Sequence, residues 1–326
     1  MPLKKIKVVV YMDSDHKKDI TELVQKVVWS GKDGTPSRTL DVTFVETKQF
    51  GRVKIDVMGG TKCYFKYNDK ELFRGVIRRV NPSSSKTASF KAYDEGWYLS
   101  NNEDAFSYKK KKADYIFKHI CKKYGISIGS VTKCQKVISE ISKHGKAWDI
   151  IQTALTKEFK HTGIRHAVTV SDGKINLTKR RENIVKWLLE SDTNILSWSY
   201  TESIEKVKTR AKIYSSKSKK STVVNDKALE KKIGIVQVFK AESDEKKKDK
   251  LKSLAKAILR ESKKAEKKLT IKAIGLVSMH TGRGAYVIIP ELDIKKTFYI
   301  NQDTHIWEGN NYTMSLSMTK TTDLDY

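Results

Sequence analysis

Short β-strand patterns separated by turn signals recur through most of the chain, and this feature constrains its fold more than any other. In residues 38–46 (RTLDVTFVE), for example, Leu40, Val42 and Phe44 alternate with polar residues and fall on one face. The turn sequence NDKE at 68–71 separates two such patterns and predicts a hairpin. The predicted strands of residues 1–105 are 4–12, 21–30, 38–46, 54–58, 63–67, 72–80 and 86–93.

Strands of this length and spacing predict a closed or nearly closed β-barrel for residues 1–105. A closed barrel has no free strand edges, and free edges expose unpaired backbone groups that promote aggregation.

Residues 106–190 change from strand patterns to helical ones. After a run of four lysines at 109–112, apolar residues in 113–124 have helical spacing, and Gly125 is a stop signal. Residues 146–160 (KAWDIIQTALTKEFK) predict a second amphipathic helix. The sequence HAVTV-SDGK-INLTK then predicts a hairpin at Asp172 and Gly173. This segment is predicted to be a small α+β domain of two helices and a hairpin.

Residues 191–326 return to strand patterns and are predicted to form a second β-barrel domain. A long helix, inserted at about 243–268, carries eleven Lys/Arg against five Asp/Glu. The predicted strands are 195–200, 207–214, 233–239, 269–279, 285–289, 297–300 and 312–318. The predicted fold is therefore a β-rich α+β chain with two β-barrel domains separated by the small α+β domain.

The formal net charge of +27 comes from 65 Lys/Arg and 38 Asp/Glu, and it favours polyanionic partners such as nucleic acid, anionic polymers or an acidic protein. Residues 1–105 contribute +5, residues 106–190 contribute +12 and residues 191–326 contribute +10. The three cysteines form no CxxC pair, so neither a disulfide framework nor a zinc site is predicted. The N-terminal apolar run is too short for a signal peptide or a membrane span, which predicts a first strand and a protein made in the cytoplasm.

A polar cluster near the C-terminus is the strongest candidate for chemistry. Asp303, His305, Glu308, Asn310 and Asn311 lie between two strand patterns in TFYINQDTHIWEGNNYTMSLSM (297–318), and His280 lies upstream in SMHTGRG. Asp and His two residues apart could share a metal ion, but Asn and Gly are turn residues. We therefore predict the corner of a last hairpin. Whether the corner faces solvent or another subunit, and whether it binds an ion, stays open.

The remaining candidates also favour structural roles. Glu158 and His161 have the Glu-x-x-His spacing of di-iron centres, with Asp149 and His166 nearby, but no second such motif exists. Cys121 is predicted to be a semi-buried small hydrophobe, and GRGAY (282–286) a tight turn into a strand. Serine-hydrolase, zinc-protease, Walker-type and Rossmann motifs are missing from the sequence. We predict no catalytic, cofactor-binding or metal-ligating residue and no enzymatic activity.

Several segments together resemble a known protein family. They are ITELVQKVVWSGKDGTPSRTLDVTFVE, FRGVIRRV followed by FKAYDEGWYLSNNE, GKAWDIIQTALTKE, and the closing stretch from TIKAIGLVSMHTGRG to NNYTMSLSM. In these segments the chain resembles the baseplate hub proteins of contractile phage tails and tailocins, and it is most similar to their XkdQ/YqbQ-like branch. The resemblance covers nearly the whole chain but includes no sharp catalytic motif.

The resemblance implies a structural role without a cofactor. Such hubs are homotrimers whose six related barrels join the six-fold tail tube to the three-fold central spike. The implied partners are the tube protein, the spike protein, other baseplate components and the tape measure protein. The implied location is the tail baseplate of a virion or tailocin, after assembly in the host bacterial cytoplasm and without a membrane. If three copies line a channel, the lysines at 109–112 and Arg180 with Arg181 would bring positive charge towards the lumen.

Two alternative functions remain open from the sequence. The charge of +27 is compatible with a nucleic-acid or anionic-polymer binding module, although the basic helix and the lysine run lack aromatic residues. A cell-wall hydrolase could use the carboxylates of Asp303 and Glu308.

Overall fold

The chain is rich in β-structure, with 55% of its residues in strands and 20% in helices. A computed structural model describes residues 6–11, 16–45, 57–84, 87–180, 184–242 and 248–319, and for 248–250 the backbone alone. The chain divides into two compact units. Unit 1 comprises Met1–Ser199 with Thr270–Tyr326, and unit 2 is the inserted segment Tyr200–Leu269. The β-rich class is confirmed.

The strands of the first sequence segment match the predicted strand patterns closely. The prediction for 54–58 lies mostly outside the described residues, and Val57 and Met58 are not in a strand. Alternation of buried and exposed side chains explains the agreement, since each of these strands except the short β2 has one face in the core. The strands are β1 (Ile6–Tyr11), β2 (Lys17–Asp19), β3 (Val24–Lys32), β4 (Thr39–Val45), β5 (Lys62–Tyr67), β6 (Lys70–Pro82) and β7 (Thr87–Tyr93).

The segment 97–180 contains the predicted helices and hairpin together with strands that the patterns did not predict. Three lysines of the run at 109–112 end strand β8, which pairs with β10, and Lys112 directly precedes helix α2. The hairpin of β11 and β12 turns at Asp172 and Gly173, both with positive φ. The elements are α1 (Trp97–Asn101), β8 (Glu103–Lys111), α2 (Ala113–Lys123), β9 (Ile128–Val131), β10 (Ile138–Lys146), α3 (Ala147–Thr162), β11 (His166–Ser171) and β12 (Lys174–Lys179).

The C-terminal part of the chain completes the large sheet. Its strands are β13 (Ile184–Glu190), β14 (Ile195–Ser203), β18 (Glu266–Ile274), β19 (Gly284–Ile289), β20 (Ile294–Glu308) and β21 (Asn311–Thr319). The sheet has 13 strands, in the order β14-β18-β21-β20-β3-β4-β7-β6-β5-β1-β2, with β19 joined to β20 and to β13. Strand β3 pairs antiparallel with β20, so strands from both predicted barrel segments lie in one sheet. This order does not close on itself among the described strands, and the two-barrel arrangement stays a prediction.

Two of the apolar cores of unit 1 can be traced through the described residues. One lies beside the large sheet and includes Trp307 of β20 together with Phe65 of β5, whose ring centroids are 4.9 Å apart. The other lies between α2, α3 and the small sheets and includes Ile116 and Ile150. The two regions are joined by a hydrogen bond of 2.8 Å from Trp148 Nε1 to the Gly34 carbonyl.

Unit 2 is an α/β module of its own rather than a single inserted helix. A three-stranded sheet in the order β16-β15-β17 packs on helix α5 through Ala211, Ile213, Leu251, Ala255 and Leu259. The predicted strand at 233–239 is corrected, since Ile233 ends helix α4 and the strand begins at Gln237. The elements are β15 (Arg210–Ser215), β16 (Ser221–Asn225), α4 (Lys227–Ile233), β17 (Gln237–Glu242) and α5 (Lys248–Ser262).

The helix predicted at 243–268 is also corrected. Within the described residues it ends at Ser262, and Glu266 already begins β18. Among the helices of the described chain, none is long and apolar enough to span a bilayer.

Candidate functional site

Asp303 and His305 lie inside strand β20 and not at the corner of a hairpin, so this part of the sequence prediction was wrong. The hairpin turn is at Gly309 and Asn310, and Asn311 already begins β21. Both side chains are fully buried, because Asp303, His305 and Trp307 are alternate residues of β20 that share its inward face. The cluster therefore faces the protein interior.

Arg38 is the main partner of Asp303. Its Nη1 donates to Asp303 Oδ1 at 3.0 Å, and its Nη2 donates to Asp303 Oδ2. The backbone N–H and the hydroxyl of Thr281 each donate to Oδ1 at 2.6 Å. Burial alone would raise the pKa of Asp303, but Arg38 and the hydrogen bonds lower it to about 2. The carboxylate is thus ionised and saturated with donors, which suits a structural anion and not a proton carrier.

His305 is held as a neutral imidazole. Its Nε2 lies 3.0 Å from the Met279 carbonyl, which can only accept, and its Nδ1 lies 2.9 Å from the Tyr312 hydroxyl. Nε2 therefore carries the proton, and Nδ1 accepts from Tyr312. Burial lowers the pKa of His305 to about 4, against the opposing charge of Asp303. The network links β20 to β21 and to the loop at 279–281.

His280 lies next to this network, as the sequence suggested, but it makes a different contact. Its Nδ1 donates to the Thr281 carbonyl at 3.1 Å, and its ring lies 6.2 Å from the ring of Trp29. Burial, with the positive charges of Arg38 and Arg283, lowers its pKa to about 3. Within the described part of the chain, no three His, Cys, Asp or Glu side chains are grouped so that they could hold a metal ion.

The two carboxylates that a hydrolase would need do not converge. Asp303 is buried, whereas Glu308 is exposed and pairs with Lys26 at 2.9 Å. The two residues are five apart on one strand and so lie on opposite faces of the sheet.

The other candidates from the sequence have structural contacts. Glu158 is buried in α3 and accepts hydrogen bonds from the backbone N–H groups of Gln135 and Lys136, while His161 is exposed. Cys121 is buried in α2, and burial raises its pKa to about 12, so it is an unreactive apolar residue. In GRGAY, Gly282 has φ of +89° in a turn, and Gly284 begins β19, which confirms the predicted turn into a strand.

Two buried polar residues were not singled out by the sequence reasoning as structural residues. Asp94 accepts from the backbone N–H groups of Arg38 and Gly96, and burial raises its pKa to about 7. Arg180 is fully buried and donates to Asp33 at 2.7 Å and to Asn301 at 3.2 Å. The idea that Arg180 brings charge to a lumen is therefore wrong, and Arg181 lies outside the described residues. Asp94, two residues before Gly96 in AYDEG (92–96), was the available sequence signal for a turn there.

An open cleft of about 890 Å³ lies beside the network in unit 1. One side is formed by residues 168–171 of β11, which pairs only with β12 among the described strands. Trp29 and Arg38 also line it, and Trp187, 64% exposed, lies among its lining residues. A free strand edge beside a cleft can bind an extended segment of another chain. The cleft is therefore a candidate contact surface.

Comparison with known proteins identifies the family. The YQBQ-like family model matches residues 27–319 of the chain. Protein XkdQ of the phage-like element PBSX of Bacillus subtilis (strain 168) is 30% identical over 286 residues, which are 86% of this chain and 87% of XkdQ. This confirms the resemblance found in the sequence segments.

Solved structures share the fold at low sequence identity. The 43 kDa tail protein of prophage MuSo2 from Shewanella oneidensis has a TM-score of 0.74 at 12% identity, over 97% of this chain and 98% of that one. The Escherichia coli protein c3393, a type VI secretion component similar in structure to the T4 tail proteins gp27 and gp5, has a TM-score of 0.55 at 10% identity, over 92% of this chain and 74% of that one.

The family and its tail-protein neighbours are structural proteins and not enzymes, in agreement with the predicted non-enzymatic character. The chain therefore belongs to the YQBQ-like family, and its fold is that of phage tail proteins.

Proposed function

We propose that the chain is a structural baseplate hub of a contractile tail or tailocin. In this role it forms a homotrimer that joins the six-fold tail tube to the three-fold central spike. The observation that carries the proposal is the fold, which matches tail proteins over nearly the whole chain and extends to a secretion component similar to gp27 and gp5.

The proposed architecture follows from the symmetry mismatch between tube and spike. Three copies, each with two related β-barrel domains, would present six similar units to the tube while keeping three-fold symmetry towards the spike. We assign these domains to residues 1–105 and 191–326, with residues 106–190 as the α+β domain between them. The β-rich segments on either side of the helical segment support this division.

The proposed partners are the tube protein, the spike protein, other baseplate components and the tape measure protein. The cleft beside β11 is the candidate contact surface for one of them, because it combines a free strand edge with the exposed ring of Trp187. The proposed location is the tail baseplate, after assembly in the host bacterial cytoplasm.

A native mass measurement of the full chain, alone and mixed with its spike protein, tests the proposal. We expect a species of three copies, either in isolation or on addition of the spike. A species that stays a monomer or a dimer in both samples would contradict it.

A further inference from the structure

Unit 2 holds an unusual share of the positive charge. Its 70 residues contain 22 Lys/Arg and 10 Asp/Glu, a net charge of +12, while the other 256 residues share +15. Unit 2 therefore has about three times the net charge per residue of the rest of the chain. A field of this kind attracts phosphate polyanions.

The sheet of unit 2 has one face covered by α5 and one face open. Strand β15 alternates between the two, with Ala211 and Ile213 buried against α5 and Lys212 and Tyr214 on the opposite side. We call this opposite side, formed by alternate residues of β15, β16 and β17, the open face. Within the described part of unit 2, no other element covers the open face, and its edge residues Val223 and Phe239 are exposed.

The open face places apolar groups beside a lysine. Lys212 pairs in register with Val223 of β16 and with Phe239 of β17, so the three side chains form a row across the sheet. Phe239 is 57% exposed and Val223 is 48% exposed. An exposed aromatic ring next to a cation on a flat sheet is the arrangement on which unpaired bases stack.

A second group of lysines lies at one end of the same sheet. The turn between β15 and β16 contains Lys217, Lys219 and Lys220, directly after Tyr214 and Ser215. Neither Lys212 nor any of the three turn lysines forms an ion pair with a residue that the structure describes. Their charges are free to neutralise phosphates.

We propose that the open face of unit 2 binds single-stranded nucleic acid, with a base stacked on Phe239 and the phosphates contacted by Lys212 and the turn lysines. An acidic protein would meet the same charge, but it would not need an exposed ring beside the cation. Duplex DNA cannot offer a base face to Phe239 without unstacking.

The test is fluorescence anisotropy of the full-length chain with a labelled single strand of about 20 nucleotides, titrated from about 50 mM to about 300 mM salt. We expect binding that weakens with salt, with weaker binding to a duplex of the same length. Phe239→Ala should weaken single-strand binding roughly 10-fold. Replacing Lys217, Lys219 and Lys220 with Gln should reduce the salt slope by about 2.

Matched controls separate the open face from general charge and from folding. Ile235→Ala removes an equally exposed apolar side chain of unit 2 outside the sheet. Replacing Lys118, Lys122 and Lys160 with Gln removes three exposed charges of unit 1. Both should leave affinity unchanged, and circular dichroism should show all variants folded. Absence of binding at low salt would overturn the proposal. Equal affinity for duplex, poly-glutamate competitor and single strand, together with no effect of Phe239→Ala, would also overturn it.

Discussion

Residues with the chemistry of an active site serve in this protein as a buried structural network. Asp303 is surrounded by donors, and His305 has a carbonyl and a hydroxyl as fixed partners. Since buried polar groups are costly when unpaired, such a network stabilises one arrangement of β20 against β3 and the loop at 279–281. Its energetic effect should therefore appear in stability measurements.

Removal of the Asp303 charge should strongly destabilise the fold. Asp303→Asn leaves the largely buried Arg38 guanidinium without its counter-ion, which costs on the order of 3–5 kcal/mol for a buried pair. Urea unfolding followed by tryptophan fluorescence gives the free energy. Glu308→Gln is the control, because it breaks an exposed pair with Lys26 worth less than about 1 kcal/mol. Equal losses for the two variants would contradict the network.

His305 should make stability depend on pH in a defined direction. Its folded pKa of about 4 lies below the ordinary value of 6.5, so the unfolded chain binds the proton first. The contribution of neutral His305 to the free energy of unfolding is therefore complete above pH 6.5 and is lost as the pH falls towards 4. Asp94 acts in the opposite direction, because its raised pKa of about 7 makes stability fall as the pH rises towards 7.

The difference between variants isolates the His305 contribution. His305→Gln should flatten the loss of unfolding free energy between about pH 6.5 and pH 4 relative to the native chain, by roughly 2–3 kcal/mol over the full window. His161→Gln, at an exposed position, should leave the slope unchanged. Urea midpoints measured across this range decide the matter, and parallel curves for His305→Gln and the native chain would exclude the assignment.

At the scale of elements, most strands with a clean alternation could be predicted from the sequence. The pattern around Leu40 gave β4, and the Asp172-Gly173 turn gave the hairpin of β11 and β12, because both signals are local. Strand β8 could not be predicted, because three consecutive lysines follow Tyr108 and no apolar residue continues the alternation there. Its position depends on pairing with β10. The end of α5 depends on the start of β18, which is equally a matter of distant pairing.

Close contacts between elements should respond sharply to small changes. A Cβ on Gly96 would lie 2.0 Å from the Pro36 carbonyl oxygen, a backbone atom that cannot move aside without shifting the connection between β3 and β4. Gly96→Ala should therefore lower the free energy of unfolding by about 1–3 kcal/mol, as overpacking does. Thermal unfolding monitored by circular dichroism measures the effect.

Gly59 provides the matched control for this substitution. It lies in a turn, and a Cβ there would meet no atom within 4 Å. Gly59→Ala should be close to neutral, and a loss as large as that of Gly96→Ala would show that steric contact is not the cause.

At the scale of the whole molecule, the sequence could not reveal how its two β-rich segments combine. Strand β3 pairs with β20, although more than 260 residues separate them along the chain. The alternation of apolar and polar residues indicates which face of each strand is buried, but it does not indicate which strand pairs with it. The buried role of Asp303 was missed for the same reason, because its partner Arg38 comes from the other end of the chain.

The proposed function requires three copies of the chain around one axis, so that their β-rich domains present six similar units to the tube. Imaging of assembled particles by electron cryo-microscopy, with the density of this chain located and counted, tests the claim most directly. The account predicts three copies in a ring between the last ring of the tail tube and the central spike. Density elsewhere in the particle, or a number of copies other than three at that junction, would contradict it.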